Sequence, residues 1–213
     1  MKNKADVKRI LDLLDEHYPF DICFLSYDAQ KPWQLLFSTI LSAQCTDARV
    51  NEIAESLYKK YVTLEDFANA DQTGLELDIR PAGFFRVKAL HIIGSAKKLL
   101  EDYGGELPPG MEELLTLPGV GRKTANLIRG HVFLIPSVIV DTHVQRISQK
   151  LGLTENSDPE KIEYDLMKIL PEEHWTAFNI QIIAHGRAVC KARKPECGEC
   201  FLRGVCEVNE VKS

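Results

Sequence analysis

Leu117-Pro118-Gly119-Val120-Gly121-Arg122-Lys123-Thr124-Ala125 is the stretch on which the reading of this 213-residue chain turns. Apolar residues on both sides of it recur at spacings of three and four, so it joins two helices rather than two strands. Pro118 ends the first helix, and the two glycines permit a tight turn whose amides no side chain shields. Amides exposed just ahead of a helix N-terminus form an anion site, able to grip a phosphate without reading a base. Lys123 falls in the first turn of the second helix. There the positive end of the helix dipole and the neighbouring Arg122 disfavour the charged ammonium, and a neutral amine is a usable nucleophile. A plain tight turn followed by a surface lysine would use some of the same residues; the complete string is what favours the functional reading.

Working outward, the helical period continues almost everywhere and strand alternation is nearly absent, which predicts an all-α protein. Val7, Ile10, Leu11 and Leu14 form the first stripe. Residues 33–43, opened by Pro32, are apolar almost all round and predict a core helix, followed by a helix capped near Thr46 or Asp47. Further helices are expected over residues 64–70, 86–103, 111–115, 122–133, 142–151, 159–170 and 175–189, with short connections carrying glycine and proline. No apolar run reaches the ~18 residues of a membrane span, and residues 1–6 lead into a charged amphipathic helix rather than a secretory segment. The expectation is a cytoplasmic protein with no membrane partner.

Asp141 follows the strand-like run Val138-Ile139-Val140 and precedes the helix at Thr142, so it is a natural N-cap. The same carboxylate could instead face the cavity of Lys123, accept a proton from the amine or stabilise positive charge on a sugar ring. Near the C-terminus, Cys190, Cys197, Cys200 and Cys206 read Cys-x6-Cys-x2-Cys-x5-Cys. Four crowded thiols in a reducing compartment point to metal ligation, and a single short pair favours an iron–sulfur cluster over zinc. Cys23 and Cys45 read as buried thiols. Lys191, Arg193 and Lys194 make a basic loop between the first two ligands, suited to phosphate contact or simply solvated.

The formal net charge of −5 runs against a general attraction to nucleic acid. Its distribution is uneven: residues 79–100 hold five Lys/Arg and no acid, and residues 174–195 hold four and no acid. Residues 114–140 carry Arg122, Lys123 and Arg129 without an acid, while acids gather over 52–78 and 155–173. A basic face with an acidic back and an ordinary solvated surface both fit this pattern.

The hairpin with Lys123, the segment Val140-Asp141-Thr142-His143-Val144, the cysteine spacing and the string Leu41-Ser42-Ala43-Gln44-Cys45-Thr46-Asp47 together resemble the endonuclease III branch of the helix-hairpin-helix DNA glycosylase superfamily, over nearly the whole chain. The resemblance implies a two-lobed helical protein: a six-helix barrel over 25–135, and an iron–sulfur lobe of 1–24 with 136–213. It implies one 4Fe-4S cluster on Cys190, Cys197, Cys200 and Cys206. The implied partner is double-stranded DNA with a damaged base or abasic site, bound between the lobes by a monomer at the nucleoid of a bacterial or archaeal cell. The implied activity is excision of oxidised pyrimidines with Lys123 as nucleophile and Asp141 as its carboxylate partner, then β-elimination at the abasic site. Gln44 would fill the space left by the extruded nucleotide, and Phe84 would stand where the family's wedge loop commonly has leucine. Gly119, Gly121, Arg122, His143, Lys191, Arg193 and Lys194 complete the implied DNA contacts. The segment Arg129-Gly130-His131-Val132-Phe133 departs from the family's frequent Ala-Phe-Gly ending.

Two relatives and one different class compete with this reading. The sister adenine glycosylase uses a glutamate on the helix at 33–43, yet no glutamate occurs over 33–51. A thymine-mismatch glycosylase commonly lacks the lysine. A non-catalytic DNA-binding or redox-sensing protein would need neither Lys123 nor Asp141.

Overall fold

The computed structural model describes residues 2–18 and 24–208; Cys23, expected as a buried thiol, lies outside them. Among the described residues the regular structure is entirely helical, and no helix is long and apolar enough to cross a membrane. The chain divides into two compact units, Cys23–Ile135 and Met1–Ile22 with Pro136–Ser213. In chain order the helices are α1 (Lys4–His17), α2 (Trp33–Ser42), α3 (Asp47–Lys60), α4 (Leu64–Ala68), α5 (Gln72–Asp78), α6 (Phe85–Tyr103), α7 (Met111–Leu115), α8 (Arg122–Val132), α9 (Thr142–Lys150), α10 (Pro159–Ile169) and α11 (Trp175–Ala188).

The unit Cys23–Ile135 is built on α2, whose residues from Trp33 to Leu41 are all buried, as an apolar circumference requires. Helix α3 is half of an amphipathic pair: Thr46 Oγ1 accepts from Arg49 N at its start, and Val50, Ile53, Ala54 and Leu57 turn inward. Helix α4 opens on a full capping box between Thr63 and Asp66. The backbone N–H groups of Thr63 and Val62 hold the Asp66 carboxyl below its ordinary range. Phe67, fully buried, packs its ring against Trp33, Phe37, Tyr58 and Tyr61. Burial raises the Tyr58 phenol, which donates to the Gln34 carbonyl at 2.7 Å instead of to water.

The other unit packs the stripe Val7, Ile10, Leu11 and Leu14 of α1 into one core with Val144 and Ile147 of α9, Ile162 and Leu166 of α10, and Phe178 and Ile182 of α11. Asp141 caps α9, while Asp158 caps α10 ahead of Pro159 at its first position. Thr154 Oγ1 and Asn156 Nδ2 both donate to Asp165 Oδ2 at 2.6 Å, closing the α9–α10 connection. These two bonds hold the Asp165 carboxyl below its usual range.

The structure corrects several sequence expectations. Helix α5 was not foreseen; Gly74 in its middle weakens the helical reading, and the Asp71 carboxylate compensates by accepting from Gly74 N at 2.7 Å. The helix expected over 64–70 ends at Ala68, and other helix ends move by a single residue. Val138, Ile139 and Val140 form no strand: they run through the unit without a ladder, and Asn179 Nδ2 satisfies the Ile139 carbonyl at 3.0 Å. Cys45 is half-buried beside the core rather than buried. Replacing Phe67 with alanine removes the centre of the aromatic cluster, with an expected cost of about 3–5 kcal/mol. Urea denaturation checks this as a fall in midpoint with little change in slope.

Candidate functional site

Between α7 and α8 the hairpin is anchored by its two apolar residues, Leu117 and Val120, both buried. Val120 N donates to the Leu117 carbonyl at 3.1 Å and closes the turn. Gly119 sits at φ +77°, and a Cβ there would stand 2.6 Å from His91 Nδ1, so both the conformation and the packing demand glycine. Gly121 differs from the sequence expectation. Its backbone is extended (φ −101°, ψ 176°), with nothing within 4 Å of an added Cβ, so the turn does not need a glycine there. What Gly121 contributes is openness at the N-terminus of α8, which has no side-chain cap. Helix α6 backs the hairpin: Ser95 Oγ donates to the Pro118 carbonyl at 2.8 Å, and Gly94 leaves room for the proline ring.

Arg122 is half-buried and Lys123 exposed in the first turn of α8, as the sequence places them. The Lys123 amine makes no hydrogen bond or ion pair to any described residue, so the group is uncommitted.

Two further turns lie in the same unit. Gln44, after the end of α2, is exposed with φ +55°, and Phe84, before α6, is 65% exposed with φ +48°. A left-handed backbone is uncommon for a side-chain-bearing residue and unusual for an aromatic one. Core packing, the alternative for Phe84, is excluded by its exposure. Lys88, counted above among the cations of a basic stretch, contributes nothing to a basic surface: it is 4% exposed. Its Nζ donates to the carbonyls of Leu41 at 2.8 Å, Ala43 at 2.8 Å and Ala82 at 2.9 Å. Nothing in the sequence pattern marks this lysine apart from its neighbours.

Asp141 stands in the other unit and does cap its helix: Oδ1 accepts from His143 N at 2.9 Å and Val144 N at 2.8 Å. Oδ2 takes no hydrogen bond from a described residue. The His143 ring lies against α11, where a Cβ on Gly186 would collide with it. Gly186 is a requirement the sequence reading missed, and its signal is a glycine inside an apolar helix. Arg146 Nη2 donates to the Cys190 carbonyl at 2.8 Å and lies 3.4 Å from His143 Nδ1, linking the start of α9 to the first cysteine.

Cys190, Cys197, Cys200 and Cys206 are free thiols lining one cavity of about 410 Å³, walled by Ile147, Leu151 and Leu202. Among the described residues no group of three His, Cys, Asp or Glu has the spacing of a single-ion site. The shared cavity is wide enough for a polynuclear group, and the donor set is wholly soft sulfur, which fits iron–sulfur ligation. Burial raises the Cys190 and Cys200 thiols, and the other thiols add to that; a cationic centre reverses the balance by holding them as thiolates. His185, buried, approaches Cys200 Sγ with Nε2 at 3.6 Å, and burial lowers the ring to about 4. In the basic loop Arg193 and Lys194 are exposed, whereas Lys191 pairs with Glu196.

Residues 37–172 match the family described as HhH-GPD superfamily base excision DNA repair protein, and residues 190–206 match the iron-sulfur binding domain of endonuclease III. Endonuclease III of Synechocystis sp. is 52% identical over 204 residues, covering 95% of this chain and 92% of that protein. A non-covalent endonuclease III–DNA complex has a TM-score of 0.91 at 39% identity, covering 97% of this chain and 96% of the other. A trapped endonuclease III–DNA covalent intermediate gives the same TM-score and identity, covering 97% of each chain.

The two hairpin glycines should separate experimentally. Gly119→Ala forces both a strained backbone and a clash with His91, with an expected loss of about 1–3 kcal/mol. Gly121→Ala should stay within about 0.5 kcal/mol of wild type in a thermal melt. Both should weaken binding to undamaged duplex, measured by fluorescence anisotropy, the second only by partly covering the amides.

Proposed function

Since the chain belongs to the HhH-GPD superfamily of base excision DNA repair proteins, and within it to the endonuclease III family, we propose that it is a bifunctional DNA glycosylase and AP lyase that removes oxidised pyrimidines from duplex DNA. The observation that carries this reading is the uncommitted amine of Lys123, placed directly after an open, uncapped hairpin turn. The amides from Gly121 onward, at the uncapped start of α8, grip a backbone phosphate without base preference, with Arg122 and His143 among the supporting contacts. The damaged nucleotide turns out of the stack at a cost of a few kcal/mol, and Gln44 and Phe84 occupy the space it leaves.

Lys123 Nζ then attacks C1′ of the deoxyribose as the glycosidic bond breaks, and the base leaves with the bonding pair and takes up a proton. Loss of the amine protons and opening of the sugar ring give a Schiff base between Nζ and C1′. A proton leaves C2′, the C3′–O bond breaks, and water later releases the lysine. Asp141 acts through Oδ2, taking a proton from the amine or facing the positive charge that develops on the sugar, while Oδ1 stays on its helix cap.

Cys190, Cys197, Cys200 and Cys206 hold one 4Fe-4S cluster. Bound there, it supplies iron–thiolate bonds that cross-link the loop carrying Lys191, Arg193 and Lys194. Those cations meet phosphates, Lys191 by exchanging its surface pair with Glu196 for one. The protein works as a monomer on nucleoid DNA.

Lys123→Gln should abolish borohydride trapping on a lesion duplex and all strand cleavage while leaving DNA binding near wild type. Trapping that survives would place the nucleophile elsewhere. Asp141→Asn keeps a competent cap, so the melting temperature should barely move while base release slows by roughly 10²–10⁴-fold in single-turnover assays. Unchanged turnover would remove Asp141 from the chemistry.

A further inference from the structure

Gln44 and Phe84 are far apart in sequence, exposed, and both left-handed, so their side chains do not hold them in place. Conformations of that kind persist only where the surroundings over-determine the backbone. What surrounds both is one ammonium. Leu41 and Ala43 carry carbonyls left without partners by the end of α2, and Ala82 carries the carbonyl of the short 3₁₀ turn ahead of Phe84. Lys88 Nζ has three protons and meets these three oxygens at 2.8, 2.8 and 2.9 Å. The backbone N–H of Lys88 donates in addition to the Phe84 carbonyl at 3.1 Å. Lys88 thus holds the turn ahead of Phe84, the Phe84 carbonyl and the residue immediately before Gln44.

We propose that Lys88 is a positioning residue for nucleotide extrusion, fixing the Gln44 turn and the Phe84 turn to one point on α6 so that the two side chains enter the duplex as a rigid pair. The inference rests on the reading of Gln44 and Phe84 as the groups that fill the vacated space. Entry of two side chains into one gap requires both to be aimed before the base leaves. Without a common anchor, each turn relaxes toward the ordinary right-handed or extended backbone, and the pair loses its register. Charge matters as well as shape: burial works against the ammonium, and three carbonyl oxygens aimed at it offset that penalty.

The test compares two duplexes, one with a base-paired oxidised pyrimidine and one with a preformed abasic site, with cluster-loaded full-length protein. Extrusion costs least where no base is stacked, so a defect in positioning falls on the first substrate. Lys88→Met should lower single-turnover base removal about 10–100-fold, the scale of a misplacement by an ångström, and abasic cleavage by no more than about threefold. The fluorescence rise of 2-aminopurine placed beside the lesion should slow in parallel, and Lys88→Gln, which keeps two N–H donors, should recover part of the ratio. In a Gln44→Ala/Phe84→Ala background, Lys88→Met should change the ratio little further. Equal losses on both substrates, or an undiminished effect in that background, would overturn the proposal. If Gln44→Ala/Phe84→Ala alone leaves the ratio at wild type, the gap-filling reading itself fails, a result distinct from failure of Lys88. Should Lys88→Met not fold, Lys88→Gln carries the same comparison.

Discussion

The constraint on which the rest of this protein depends is that segments with irregular backbone must be held still by something regular. Helix α6 does this for the unit Cys23–Ile135. Its first turn binds the loop of Phe84 and, through Lys88, the end of α2; its middle presents His91, Gly94 and Ser95 to the hairpin. Turns with left-handed residues are costly in isolation and inexpensive when a packed helix supplies donors at the right height. Sequence proximity plays no part in this: residues 43, 84 and 119 meet one helix because it is long enough to serve them all.

The elements most legible in the sequence were those whose chemistry is local. The hairpin announces itself because Pro118 and Gly119 have conformational reasons to stand where they do, ahead of a lysine in the first turn of the next helix, and the cysteine loop because four thiols cannot crowd without a reason. Helices with a clean stripe, such as α1 and α3, were equally plain. The parts that stayed hidden depend on contacts across the fold. Lys88 reads as one more surface cation until its carbonyl partners are seen, and Gly186 reads as a weak spot in an apolar helix until His143 is found against it. Helix α5 was hidden by its own glycine, and Val138-Ile139-Val140 looked like a strand because burial on both sides produces an apolar run whether or not a ladder forms.

On the proposed reading the acidic net charge is a smaller obstacle, because part of the grip on phosphate comes from backbone amides at the start of α8 rather than from side chains alone. Partial positive charge on an open helix terminus does not enter the formal sum of −5, and it acts over a few ångströms, within one Debye length at physiological salt. A chain of net negative charge loses long-range steering rather than close contact.

Asp141 ends on a different point. Because Oδ1 is tied to two amides of its own helix, the side-chain torsions of this carboxylate are already fixed in the folded protein, and the direction of Oδ2 is fixed with them. In the role proposed for Asp141, a free carboxylate would have to surrender rotational freedom at the instant positive charge appears on the sugar. The cap completes that ordering with helix formation, so for the proposed reaction it would act as preorganisation.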